Sequence, residues 1–552
     1  MKKSLKSFLL VLVLAIGYLG VYGQGATTSS LKGRVAEDNG TPIAYATVLA
    51  LHEPSGTSYG TTTMSDGTYS LTGLRVGGPY LVTISFMGYT SVSYKDVDLK
   101  LGESFVLNAT LKESATELEA VVISAGLGNP ILSSERTGAQ TNISRRDISS
   151  LPTISRSITD LSSLTPQAQG NSFAGRDGRF NSITVDGAAF NNNFGLSSNP
   201  LPGGNAQPIS LDAIDQVTVN IAPFDVKLSQ FTGASINAVT RSGDNTFKGS
   251  VYSFMRPKSF TGSTVDGKDV SGANDRSSTS YGVSLGGPII KNKVFFFING
   301  EFEKEDIPGV TWKPSTDGVA NPDAMISRTT VADMERVRNH LITTYGYDPG
   351  KYNNFDPFNN LNTKILARID WNINAKHKLT FRYNDVVGTS DQQTNFNSGP
   401  PNNPRNSGRI SSQSLAFSNS FYGFKNTVRS FTGELNSSLT SNISNKFLAS
   451  YTFIQDTRTS DSKLFPFVDI WEGGDQYMSF GYELFSYNND VTNKTLSLVN
   501  NTVINLNKHT VTVGASFDRL FFKNSYIREG TTYYRYGSVD DFINNATPTG
   551  FG

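Results

Sequence analysis

From about residue 245 onward, apolar and polar residues alternate with a period of two, in runs of strand length. In "KILARIDW", Ile365, Ala367, Ile369 and Trp371 share one face, while Lys364, Arg368 and Asp370 share the other. "KLTFRYN" sets Leu379, Phe381 and Tyr383 against Lys378, Thr380, Arg382 and Asn384. "KVFFFINGEFE" sets Val294, Phe296, Ile298, Gly300 and Phe302 against Lys293, Asn299, Glu301 and Glu303. "KFLASYTF" repeats the arrangement with Phe447, Ala449, Tyr451 and Phe453, and "TVTVGASFD" with Val511, Val513, Ala515 and Phe517. One such strand fits any half-buried antiparallel sheet. Many in succession, with aromatics on the apolar face and charges opposite, predict a wall with lipid outside and a wet interior.

The connections point the same way. "IIKNKVF", "INAKHKL", "ISNKFL" and "NLNKHTV" are short turns between consecutive strands, whereas residues 306–363 and the stretch "TSDQQTNFNSGPPNNPRNSG" are long and polar. Short turns at one end and long loops at the other mark an outer-membrane barrel, with the short turns on the periplasmic side. Within residues 306–363, "TVADMERVRNHLITTYG" predicts a helix with Thr330 as its cap. "YDPGKYNNFDPFNNLN" gathers Asp and Asn without the ordered spacing of a calcium loop, and predicts solvated loop.

Ahead of the wall the pattern is shorter and mixed. Residues 30–112 hold short strands around the turns Asn39-Gly40 and Asp66-Gly67, which predicts a small β-sandwich. Residues 113–128 are a linker carrying the extended stretch Glu119, Ala120, Val121, Val122, Ile123 and Ser124. A lone strand of this kind can add to a partner's sheet edge, or can be the first strand of the unit that follows. Residues 129–244 predict an α+β plug, with strands in "SITVDGAAF", "IDQVTVNIA" and "ASINAVTRSG" and a helix with Ile158, Leu161 and Leu164 at helical spacing. In "GASINAVTRSGDNTFKGSVYSFMR", Gly233, Arg241, Ser242 and Gly243 mark a seam between plug and wall. Beyond it, Phe247, Val251 and Met255 are predicted to face lipid, and Lys248, Ser250 and Arg256 the interior.

The first 23 residues pair a basic start, "MKKSLK", with the apolar run "FLLVLVLAIGYLGV" and small residues at "VYG", which predicts a cleaved export signal. A net charge of +1 over 552 residues provides no basic surface for nucleic acid. The absence of cysteine rules out disulfides, thiolate metal sites and thiol nucleophiles. The histidines His52, His340, His377 and His509 show no ligand spacing, so no metal or cofactor is expected. Ser58 in "GTSYG" matches the nucleophile-elbow pattern, yet it lies among short strands with no helix behind it. The chain therefore reads as a non-enzyme.

In order, these pieces resemble a TonB-dependent outer-membrane receptor of the Bacteroidota type. "GRV…GTPIAYATV…SDGTYSLTGL…YLVTISFMGY" resembles the carboxypeptidase regulatory-like domain, and "YGVSLGGPIIKNKVFFFINGEFE" resembles the Oar-like branch. The resemblance implies that residues 119–124 are the TonB box, contacted by a periplasmic TonB-type energy coupler, and that an unidentified solute is imported. No "VVVGYG"-type segment follows the box, so a SusD-like lid is not implied. The resemblance also implies about 22 strands closing around the plug, against about ten candidate strands of antiparallel barrel in residues 245–552, so the chain is expected to be part of a longer receptor, with a smaller closed barrel of about ten strands as the alternative. A non-transporting surface, adhesion or assembly protein anchored by the barrel is the other reading.

Overall fold

The computed structural model describes residues 25–113, 121–124, 139–151, 153, 156–191, 207–223, 225–228, 231–260, 262, 264–269, 276–398, 408–507 and 509–552. The predicted export signal, Glu119 and Ala120 lie outside the described residues.

The N-terminal unit is a two-sheet sandwich. One sheet orders Thr68–Leu74, Ser29–Glu37 and Ser104–Val106, with Ala109–Leu111 also paired to Ser29–Glu37. The second orders Thr57–Thr62, Thr47–His52, Gly77–Ser85, Val92–Leu99 and Val121–Ser124. Inward positions of both sheets (Leu31, Val35, Val48, Tyr80, Val82 and Leu99) close a dry core. Gly67, at φ +77°, turns the chain from one sheet to the other, where a Cβ would sit 2.4 Å from the Val35 carbonyl oxygen. Ser58 lies exposed in mid-strand, not at a strand-to-helix elbow.

The next unit is a five-stranded sheet in the order Ala139–Ile143, Ile214–Ile221, Ala234–Thr240, Ser182–Val185 and Ala188–Ala189. Every residue of Ala234–Thr240 and Ser182–Val185 is buried, because both faces of the sheet are covered. Ser157 caps the helix Ile158–Ser162 through a reciprocal bond pair with Asp160. Ile158 and Leu161 pack inward as their spacing predicts, but the helix ends at Ser162 and leaves Leu164 exposed.

The wall is a nine-stranded antiparallel sheet whose strands neighbour one another in chain order. They are Lys248–Arg256, Ser277–Ile290, Val294–Ile307, Phe358–Asn372, His377–Gln392, Tyr422–Ser438, Ile443–Thr459, Asp490–Leu506 and His509–Ser525. Among the described residues the first and last strands each pair with a single neighbour, and His509–Ser525 is exposed along both faces. The outward face carries Val251, Met255, Ile298, Ile365, Ile369, Phe381, Phe431 and Val513, all exposed. That face was predicted. The inward face departs from prediction, since it is not polar throughout. Phe297, Leu366, Val386, Val428 and Ile454, from successive strands, form an apolar row beneath Ile183, Val217 and Ile236 of the second unit. The second unit lies against the wall there and takes the place of water.

The long loops are the larger correction. The helix Val331–Tyr345 forms with Thr330 as its cap, accepting from the Asp333 amide. The loops around it are not simply solvated. Leu415–Ala416, Asp475–Phe480, Phe467–Glu472, Tyr533–Tyr536 and Gly550–Phe551 make a further five-stranded sheet. Met334, Val337, Leu341, Phe417, Ile470, Met478, Phe480 and Phe542 form its own core with that helix. Segments from three long connections and from the residues after the ninth strand thus fold together into one cap at the long-loop end.

Candidate ligand chamber and coupling strand

The second unit is clamped to the wall by charges in the enclosed space between them. Asp186 and Gly187 form the turn after Ser182–Val185, both at positive φ, a conformation that Asp tolerates better than most residues. The Asp186 carboxylate accepts from the Thr240 amide (2.9 Å) and hydroxyl (2.7 Å) and faces Arg382 Nε at 3.4 Å. Arg382 also reaches Glu434 at 3.2 Å. Arg368 makes a bidentate pair with Asp370, both bonds 2.9 Å, and donates to the Thr240 carbonyl at 2.5 Å. Period-two alternation puts Arg368, Arg382 and Glu434 on the inner face of three neighbouring strands.

Nearer the long-loop end a second cluster gathers on Glu301, itself buried. It pairs with Lys364 at 2.8 Å and accepts from Ser210 Oγ at 2.9 Å and from the Tyr252 hydroxyl. Arg156 lies 3.8 Å from the same carboxylate, with its guanidinium 4.2 Å from the Phe254 ring centre. Above this cluster opens a chamber of about 900 Å³, between residues 145–156 and 207–214 of the second unit and the upper ends of the wall strands. Its rim carries Arg256 and Arg276, 3.9 and 3.8 Å from Glu305. Arg156 Nε, Gln207 Oε1, Asn360 Oδ1 and Asn362 Oδ1 on the lining have no hydrogen-bond partner among the described residues. The chamber is thus polar, of mixed charge, and leaves hydrogen-bonding groups unmatched.

Of the residues singled out in the sequence, Arg241, Ser242 and Gly243 lie where the second unit passes into the wall. Arg241 pairs with Asp212 at 3.4 Å and Ser242 Oγ bonds Asp370. A Cβ on Gly243 would lie 2.3 Å from the Phe296 carbonyl oxygen and 2.7 Å from that of Gly287, so only glycine fits against the wall backbone. Gly233 is at the other end of the strand, packed on Asn181. Val251 and Met255 point outward and Ser250 inward, where it bonds Asp212 at 3.0 Å. The reading of the sequence did not single out Asp186. The signal for it was the Asp-Gly turn in a motif otherwise read only for its strands.

At the short-turn end the sandwich is docked across the mouth. Arg75 donates to the Gly243 carbonyl at 2.8 Å, Asn245 N–H to that of Pro54 at 2.9 Å, and Thr61 Oγ1 to that of Ser441 at 2.8 Å. Leu101 and Val76 pack on Val239. Val121–Ser124 joins this sandwich and not the second unit, running parallel to Val92–Leu99 as the outermost strand of the sheet.

With this geometry in view, the comparisons with known proteins are specific. The carboxypeptidase regulatory-like domain matches residues 30–112 and the outer membrane beta barrel domain matches residues 239–547, more than half of the chain. The chain belongs to the outer membrane beta barrel family. The nine-stranded sheet of this outer membrane β-barrel protein therefore sits in the outer membrane, with the cap outside and the sandwich on the periplasmic side. A TonB-dependent transporter, Oar of Myxococcus xanthus, is 33% identical over 151 residues, which is 26% of this chain and 14% of that protein. The outer membrane transporter YddB from Escherichia coli superposes with a TM-score of 0.47 at 11% identity, over 75% of this chain and 51% of that one. For the siderophore receptor PirA from Acinetobacter baumannii the TM-score is 0.43 at 15% identity, over 70% and 48%. The match covers about a seventh of Oar, and the chain spans about half of these solved chains.

Proposed function

We propose that this protein is a TonB-dependent outer-membrane receptor that takes up a polar solute, with the second unit acting as the plug and residues 119–124 as the coupling segment. One observation carries the reading: a polar chamber opens toward the cap, above a unit held in the wall by buried ion pairs. Such a clamp is strong while every charge is matched and weak once one partner is moved, because the partner left behind is buried and unpaired. Solute caught in the chamber engages Arg156 and the unmatched amides, and the coupler pulls on the plug from the periplasm. The Oar likeness supports a transporter over an enzyme.

Deletion of residues 119–124 from the complete gene is the test, read as growth on a panel of peptides and metabolites supplied as sole sources of a limiting nutrient. Loss of growth on one compound, with the protein still in the outer membrane, is the expected result. Unchanged growth on every compound the parent uses refutes the proposal. The folded cap supports a second reading, a surface or adhesion protein anchored by the barrel. In that case the deletion leaves cell-surface binding and growth alike untouched.

A further inference from the structure

Val121–Ser124 is paired residue for residue, Val92 with Val121, Ser93 with Val122, Tyr94 with Ile123 and Lys95 with Ser124. We infer that the sandwich is a strand-binding module that holds the coupling strand on its edge, and that a periplasmic coupler obtains the strand only by displacing it from there. The inference rests on the reading of residues 119–124 as the coupling segment.

Three features make the edge fit for exchange. Val92–Leu99 would be the end of its sheet without this strand, so its outer backbone groups are a ready template. The template is short, because Asp96 takes φ +59° and turns the edge away immediately after Lys95. Among the described residues the ladder comprises four residue pairs. The tether is short as well. Thr90 N–H bonds the Lys112 carbonyl at 2.9 Å and Tyr89 bridges to Glu113, so Glu113 lies beside the edge on which Val121 pairs with Val92. A short tether gives a high effective concentration, which keeps even a brief ladder occupied. A coupler offering a longer edge takes the same backbone groups, and the two pairings exclude each other.

The chain has no cysteine, so a thiol pair reports directly on register. The experiment uses the whole chain in detergent micelles, with the C-terminal domain of the host's TonB-type coupler as probe. In Lys95→Cys/Ser124→Cys, diamide is expected to close a disulfide, and coupler binding to weaken at least tenfold and return with reductant. Arg34→Cys/Thr68→Cys, a paired position on the other sheet of the sandwich, is expected to close as well and to bind the coupler as the parent does, which shows that added thiols and diamide leave the fold intact. Failure of the Lys95/Ser124 pair to close overturns the inference, as does undiminished coupler binding once it has closed. If the reduced chain binds the coupler no better than a chain lacking residues 119–124, the reading of the segment itself fails and the inference falls with it. The disulfide yield tells the two failures apart.

Discussion

Arg409 Nε and one terminal nitrogen each lie 2.9 Å from a carboxylate oxygen of Asp469, and both side chains are fully enclosed in the cap. Arg409 also donates to the carbonyls of Asn395 and Ser398, so one guanidinium ties a long loop to the cap sheet. Removing one member of such a pair strands the other charge. Asp469→Asn is expected to destabilise the cap by about 3–5 kcal/mol, and Arg409→Met/Asp469→Leu to recover much of that loss. Amide exchange in Phe467–Glu472 and Asp475–Phe480 measures both.

The clamp on the second unit makes a second prediction. Asp186→Asn keeps the turn, since Asn also tolerates positive φ, but withdraws the charge facing Arg382. Loss of one buried partner costs about 3 kcal/mol or more. Exchange is therefore expected to accelerate at least tenfold in Ser182–Val185 and Ala234–Thr240 while the wall strands stay protected.

Titration of the sandwich is a third. His52 is buried, bonded to Ser55 Oγ at 2.7 Å and 4.9 Å from the Tyr80 ring. Burial, helped by the Arg75 charge, pushes its imidazole down from 6.5 to about 3. Between these values the unfolded chain holds a proton that the folded sandwich refuses, so stability rises with pH across that window and is lost as pH falls through it. At pH 5 the sandwich is expected to be about 2 kcal/mol less stable than at pH 8, from this group alone. His52→Gln should flatten that slope, read by exchange in Thr47–His52 across the window.

The seam allows a fourth. Gly243→Ala drives a methyl into the Phe296 and Gly287 carbonyls, both part of wall backbone that cannot step aside. A loss of about 1–3 kcal/mol is expected from overpacking. It is checked by the fraction of chain that keeps its folded mobility on a gel run without heating.

What could be read from the sequence follows from range of contact. Ile365, Ile369 and Trp371 against Lys364 and Arg368 is a local pattern with period two, and the strand follows from it. Leu366 on the inner face broke the pattern, because what covers it, the sheet of the second unit, is contributed by residues far earlier in the chain. The cap was missed for the same reason. Its core takes Val337, Phe417 and Ile470 from three connections and Phe542 from beyond the ninth strand, each segment too polar on average to announce a core. The pairing of Val121–Ser124 with Val92–Lys95 was illegible for a different reason, since a sheet edge recognises backbone and leaves no mark on side-chain order.

The cap also constrains how the molecule can be made. Its sheet takes Leu415–Ala416 and Phe467–Glu472 from different wall-strand connections and Tyr533–Tyr536 from beyond the ninth strand, and its helix Val331–Tyr345 from an earlier connection. None of these pieces can bury its apolar side before the others have crossed to the cell surface. During biogenesis each loop must pass the membrane as an uncovered, sticky chain, and the earliest must wait outside for the latest. The step that completes this surface is thus tied to the arrival of the ninth strand, which makes escort of exported loops, more than strength of the finished fold, the point at which assembly is decided.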